Sequence, residues 1–215
     1  MSDHIISIPE PTLRRLPLYY QFLLKEKQSG VDNISCPKIA KELELTTIQV
    51  RKDLQAAGAQ GKPRIGYVID EILEILANLL GYNNTKDALL IGVGNLGLAL
   101  LGYDNFKERG LNIVAAFDID KDKIGKVFHG KKVYSLDRFN HIAKRLNIKI
   151  GIITTPANAA KQVSQLMVES DIKAIWNFAQ THLNVDEAIV VEDVNLTASF
   201  SVLSNKLKEK LARKG

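Results

Sequence analysis

Gly92-Val93-Gly94-Asn95-Leu96-Gly97 has the residue types and spacing to cradle a pyrophosphate in this 215-residue chain. The run follows an apolar stretch, Ala88 to Val93, that reads as a buried strand, and it opens a helix from Asn95. That strand–turn–helix setting is what a dinucleotide-binding glycine fingerprint requires. Gly92 permits the tight turn, Gly94 lets the backbone approach the phosphates, and Gly97 lets the helix lie close to the strand. The helix N-terminus adds free N–H groups and a positive dipole end. Asp118 lies 21 residues beyond Gly97, at the end of a second apolar run, Ile113 to Phe117. There its carboxylate can accept hydrogen bonds from ribose hydroxyls. It would repel a 2′-phosphate, which Lys121 and Lys123 offset only slightly, so NAD(H) is expected over NADP(H). The same turn would also suit a Rossmann-like fold that binds another nucleotide, such as coenzyme A, or none.

Thr155-Pro156 follows a further apolar run, Ile148 to Thr154, and Asn177-Phe178-Ala179 ends another, Ala174 to Phe178. They therefore fall at strand carboxyl ends, the rim where open α/β sheets bind ligands. Thr155, Pro156, Asn177 and Phe178 suit a wall around the nicotinamide, and they suit an ordinary strand-end turn equally well. Tyr103 with Lys107 superficially matches a dehydrogenase Tyr-Lys pair, but it begins six residues after Gly97 rather than on a later helix. Tyr103 is kept as a cofactor contact, with packing as the alternative. His4, His129, His141 and His182 have no mutual spacing suited to a metal or a triad, so no catalytic residue and no metal ligand are assigned. The runner-up function is a small NAD-dependent dehydrogenase with a helical accessory domain.

The elements that position these residues change character at the polar, turn-forming Gly81 to Asp87. Before it the rhythm is helical: Leu16 to Lys27, Pro37 to Leu43, Thr46 to Ala56 capped by Thr46 or Thr47, and Ile69 to Leu80. After it the four apolar runs alternate with helices, one of which starts at Pro156 and reaches about Ser170, a βαβ pattern with a parallel sheet. At the end, Leu196, Phe200, Leu203, Leu207 and Leu211 form one apolar stripe on a lysine-rich helix. That helix either lies on its own domain or packs on a partner subunit.

Within the helical half, Pro37 to Leu43, a turn at Glu44-Leu45, and Thr46 to Ala56 have the order of a helix-turn-helix. The second helix offers Thr46, Thr47, Gln49, Arg51 and Lys52, whose hydroxyl, amide and guanidinium groups suit base edges. Gly58 to Val68 reads as a β-hairpin wing with Lys62 and Arg64 at its tip, able to reach phosphates or the minor groove. A dimerisation bundle is the competing reading of the same helices.

Composition separates these possibles only in part. Hydrophobic residues make up 46%, enough for a sizeable core, and the net charge is +5. Residues 1–80 carry ten basic and ten acidic side chains, so bulk charge makes no case for DNA; the basic excess sits locally between Ser35 and Tyr67. The apolar runs are far shorter than the roughly 20 residues of a membrane span and the start has no apolar signal core, so a cytoplasmic location is expected. Cys36 is the single cysteine, which excludes an internal disulfide and reads as a packed thiol.

Taken together, the chain resembles the Rex family of bacterial redox-sensing transcriptional repressors. The resemblance rests on Arg15-Leu16-Pro17-Leu18-Tyr19-Tyr20, Gln49-Val50-Arg51-Lys52-Asp53-Leu54 and Gly61-Lys62-Pro63-Arg64-Ile65-Gly66-Tyr67. To these it adds Gly92 to Gly97, Phe117 to Asp120, Thr155-Pro156, Asn177-Phe178-Ala179 and Asn195-Leu196-Thr197-Ala198. It implies a winged helix-turn-helix DNA-binding domain over 1–82, a Rossmann-like parallel-sheet NAD(H)-binding domain over 83–194 and a swapped C-terminal dimerisation helix over 195–215. It further implies a homodimer that binds double-stranded operator DNA, has no membrane partner, and is released when NADH binds. The chain departs from the family pattern where Gln21 replaces a common Arg and Asn195 a common Asp. A neutral Gln21–Asn195 hydrogen bond could replace the ion pair implied there. Gln55-Ala56-Ala57-Gly58 and Gln180 depart as well, and all bear on operator preference and on the strength of the NADH response.

Overall fold

The structure, a computed structural model, describes residues 8–212, apart from the side chain of Leu196, so His4 lies outside the described residues. The chain forms two units that meet at Thr85–Lys86.

The first unit runs α1 (Glu10–Gln28), β1 (Asn33–Ile34), α2 (Cys36–Glu42), α3 (Thr47–Ala56), β2 (Tyr67–Val68) and α4 (Ile69–Leu80). Helix α1 starts at Glu10, earlier than the expected Leu16, because Pro9 precedes the helix and Pro11 occupies its first turn, where a missing N–H costs nothing. Pro17 is carried inside it, where it has no N–H to donate to the carbonyl of the exposed Leu13 one turn back. Leu16, Tyr19 and Leu23 of α1, Ile39 of α2, Val50 and Leu54 of α3, and Ile69, Ile72 and Leu76 of α4 are all fully or almost fully buried together. Helix α2 is capped by Ser35, whose hydroxyl accepts from Lys38 N–H, and α3 by Thr46, whose hydroxyl accepts from Gln49 N–H at 3.2 Å. Glu44 makes the turn between them at φ +54. Strands β1 and β2 pair antiparallel, and the wing projects ahead of β2 as a tight hairpin closed by Lys62 and Gly66.

The second unit is a seven-stranded sheet of β3 (Lys86–Ile91), β4 (Leu111–Asp118), β5 (Val127–Phe128), β6 (Lys131–Ser135), β7 (Ile150–Ile153), β8 (Ala174–Asn177) and β9 (Val190–Asp193). Its order is β5-β6-β4-β3-β7-β8-β9, parallel throughout except for β5 at the edge. Without β5 this is the doubly wound dinucleotide-binding order, with its topological switch between β3 and β7. Alternate residues of β3 feed two cores: Leu89 and Ile91 face Phe117, Phe139 and Met167, while Ala88 and Leu90 face Ile113, Ala116 and Ile152. Helices α5 (Asn95–Leu101), α6 (Asn105–Glu108), α7 (Phe139–Arg145) and α8 (Ala157–Glu169) complete the layers, and α9 (Leu196–Ala212) ends the described chain. On α9, Phe200, Leu203, Leu207 and Leu211 are each more than half exposed, so within one chain the apolar stripe is uncovered. No helix among the described residues is long and apolar enough to cross a membrane.

Candidate functional site

A cavity of about 740 Å3 opens at the carboxyl ends of β3, β4 and β7, and Gly92, Gly94, Asp118, Thr155 and Pro156 all line it. Gly92 stands at φ +104, and a Cβ there would lie 2.9 Å from the Thr154 carbonyl and from Thr155 N. At Gly97 a Cβ would lie 2.0 Å from the Gly92 carbonyl oxygen, so α5 can approach the turn only with glycine there. Gly94 differs, since its Cβ would meet nothing within 4 Å. The protein's own packing leaves room at Gly94, on the cavity wall, where a pyrophosphate backbone contact needs it.

Asp118 organises the turn from the neighbouring strand. Its Oδ2 accepts from Val93 N–H at 2.7 Å, and its Oδ1 accepts from Ile119 N–H at 2.8 Å and Asp120 N–H at 2.9 Å. A carboxylate has about four acceptor positions, so one remains for a ribose hydroxyl. Lys123 Nζ stands 3.6 Å from Asp118 and 3.2 Å from Asp120. The Val93 N–H is thus bonded within the protein and its side chain is fully buried, so Val93 shapes the turn through its backbone. Asn95 and Leu96 open α5, where the first N–H groups have no helical carbonyl to bond. Thr154 Oγ1 lies 2.6 Å from the Gly92 carbonyl, tying β7 to the turn. Thr155 Oγ1, also on the cavity wall, is buried with no hydrogen-bond partner among the described residues. A buried hydroxyl left unpaired costs free energy that a bound ligand would offset.

Three expected contacts are not brought to this cavity. Tyr103 stacks edge-on against Phe106 at 4.7 Å and accepts from Asn105 Nδ2, and its ring stands half exposed after α5 without lining this cavity. Phe178 packs on Trp176 at 4.8 Å, continuing that aromatic row through Phe106. Asn177 is 2% exposed and its amide is used up: Nδ2 donates to Thr181 O and Asp193 Oδ1, and Oδ1 accepts from Ala179 N–H. It lines a separate cavity of about 180 Å3 with Asp193 and Asn195. His182 is there too, 3.7 Å from Asp193 and mostly exposed. Asn195 Oδ1 accepts from Ala198 N–H at 3.0 Å, holding the start of α9.

In the first unit α3 presents Arg51 and Lys52 to solvent, with Thr46 exposed and Thr47 and Gln49 half-buried at its N-terminal end. In the wing, Arg64 sits at φ +66 on the exposed tip. Lys62 is engaged with Glu71 at 2.6 Å, an exposed pair worth about 0–1 kcal/mol that a phosphate can displace. The residue that sequence reading missed is Asp53, 3% exposed on the inner face of α3. Its carboxylate accepts from Arg15 Nε and Nη2 at 2.7 Å each, from Tyr19 OH at 2.6 Å and from Thr12 Oγ1 at 2.9 Å. Thr12, Arg15 and Tyr19 share one face of α1, so this cluster fixes α3 against α1. Burial pushes the Asp53 carboxyl up, but the hydrogen bonds from Arg15, Tyr19 and Thr12 outweigh it and hold it below its ordinary range. Burial, reinforced by Asp53, raises the Tyr19 hydroxyl well above its ordinary value. The spacing of Thr12, Arg15 and Tyr19 was the available signal, but nothing in it names Asp53 as the partner.

Residues 83–181 match the family model described as CoA binding domain, and residues 7–55 match that described as Putative DNA-binding protein N-terminus. The chain is 40% identical over 200 residues to the redox-sensing transcriptional repressor Rex of Treponema denticola, covering 93% of this chain and 95% of that one. Against Rex of Bacteroides thetaiotaomicron it is 39% identical, covering 93% and 91%. Among solved structures it is similar to RSP, a Rex-family repressor, in complex with β-NAD+ and operator DNA (TM-score 0.89, 31% identity, 97% and 96% covered). It is also similar to RSP in complex with β-NADH (TM-score 0.87, 30% identity, 96% and 97% covered). A DNA-binding unit joined to a Rossmann-like nucleotide unit defines the class of ligand-responsive transcriptional regulators. Within it, this chain belongs to the Rex family of redox-sensing transcriptional repressors. It is a repressor and not an enzyme, and the dehydrogenase reading gives way.

Proposed function

We propose that the cavity bounded by Gly92, Gly94, Asp118, Thr155 and Pro156 holds the dinucleotide NAD(H), and that its reduced form releases the repressor from operator DNA. The observation that carries this is the glycine turn, with open space at Gly94 and the unpaired hydroxyl of Thr155 on the same wall. Gly92 to Gly97 would cradle the pyrophosphate and Asp118 the adenosine ribose. The bound group supplies a ring that is uncharged when reduced and positively charged when oxidised. Residues 1–82 read DNA through Thr46, Thr47, Gln49, Arg51 and Lys52 in the major groove, with Lys62 and Arg64 of the wing on the backbone or minor groove. Residues 83–194 bind the dinucleotide. Residues 195–215 carry the exposed stripe of Phe200, Leu203, Leu207 and Leu211 onto a second copy as a swapped helix, and the dimer acts in the cytoplasm.

Direct titration of the full chain with NADH, NAD+, NADPH and coenzyme A tests the site. NADH is expected to bind tightest, and NADPH more weakly because its 2′-phosphate meets Asp118. Saturable binding of coenzyme A without binding of either NAD form would overturn the proposal.

A further inference from the structure

Helix α3 has an apolar residue where a base-reading face has least reason to carry one. Ile48 is 68% exposed, whereas Val50, Asp53 and Leu54 of the same helix are buried. Counting by helical turns, Ile48, Arg51, Lys52 and Gln55 occupy positions i, i+3, i+4 and i+7, one continuous outward face, and all four are exposed. A single exposed isoleucine on a protein surface needs no explanation. Here, however, it is the second residue of α3, and in a helix-turn-helix the N-terminal residues of the second helix contact base edges. The major groove offers one apolar feature, the 5-methyl group of thymine.

Resting on the DNA-reading role of the first unit, we infer that Ile48 is a specificity-determining residue that reads a thymine methyl in each operator half-site. Its neighbour on that face, Arg51, has the fork that pairs with guanine O6 and N7. Three residues of helix advance about 4.5 Å, little more than the about 3.4 Å between successive base pairs. The thymine is therefore placed within about two base pairs of the guanine that Arg51 reads. Ile48 adds selectivity by covering the methyl from water, a contribution that does not depend on charge and so persists as salt rises.

The test uses duplexes selected from a randomised pool by the full chain, with each thymine then replaced singly by deoxyuridine, which lacks only the methyl. One thymine per half-site is expected to lose about fourfold in affinity on replacement, and about 15-fold when both half-sites are changed. Ile48→Ala, which changes both subunits of the dimer at once, is expected to lose at least about 15-fold on the thymine duplex and to be indifferent to deoxyuridine at that position. Deoxyuridine tolerated at every position overturns the inference. So does an Ile48→Ala chain as sensitive to it as the parent, or a selected half-site with no thymine. Selection of no duplex at all overturns the DNA-reading role itself, and this contact with it.

Discussion

Asp53→Ala is expected to destabilise the first unit by about 3 kcal/mol and to abolish operator binding while leaving the nucleotide unit intact. Breaking a buried ion pair by removing one partner costs about 3–5 kcal/mol, because the other charge is left uncompensated. The low end applies because the Arg15 side chain is 23% exposed and water can reach it. Tyr19 is fully buried and would keep an unpaired hydroxyl. Set against a total stability of about 5–15 kcal/mol, that is a large fraction. For a unit of this size it corresponds to a fall of more than about 12 °C in its melting transition. Asp53→Asn keeps an acceptor for Tyr19 and should lose less. Since the folded carboxyl titrates below its unfolded value of about 3.9, its stabilisation is fully present above that pH and is lost as pH falls through the lower folded value. Tyr19 has the opposite sign: its contribution is present below about pH 10 and is lost as pH rises through the raised folded value. Thermal unfolding of parent and Asp53→Asn between pH 3 and pH 7 checks this. The difference should shrink as the solution becomes acid, and a melting temperature unmoved by Asp53→Ala at neutral pH would refute the role.

The second large effect separates two glycines of the turn. Gly97→Ala places a Cβ 2.0 Å from the Gly92 carbonyl and 3.1 Å from Thr154 Oγ1, so α5 must move off the turn. Overpacking of this kind costs about 1–3 kcal/mol in stability, and it spoils the cradle as well. Gly94→Ala meets no protein atom within 4 Å, so it should still fold, losing at most about 1 kcal/mol because alanine is a poorer N-cap than glycine at the start of α5. It should nevertheless lose at least about tenfold in NADH affinity, since the methyl stands where the pyrophosphate approaches. Calorimetric unfolding and NADH titration of both variants distinguish them. Parental NADH affinity in Gly94→Ala would remove the pyrophosphate from this wall.

The glycine turn was legible in the sequence because the three glycines, the preceding apolar strand and Asp118 are all local, fixed-spacing signals. The helix-turn-helix was legible for the same reason, with the cap of α3 narrowed to Thr46 or Thr47 and found at Thr46. Strand β6 escaped because it opens on Lys131 and Lys132, and β9 because Glu192 and Asp193 end an exposed edge that never has to be apolar. Asp53 counted in sequence as one acid among basic neighbours; its burial depends on α1 crossing 34 to 41 residues away. Asn177 was read as a ligand wall from its place at a strand end, but its amide closes the loop onto Thr181 and Asp193 instead.

A redox sensor needs a ligand pair that distinguishes two states of the protein; tight binding alone moves no equilibrium. The most direct measurement is operator binding by the full chain at fixed salt and fixed total dinucleotide, with the NADH to NAD+ ratio varied. The account predicts that operator affinity falls as NADH replaces NAD+, and, by linkage, that operator DNA weakens NADH binding relative to NAD+ binding by the same factor. An operator affinity that does not change across the whole range of ratios would contradict it.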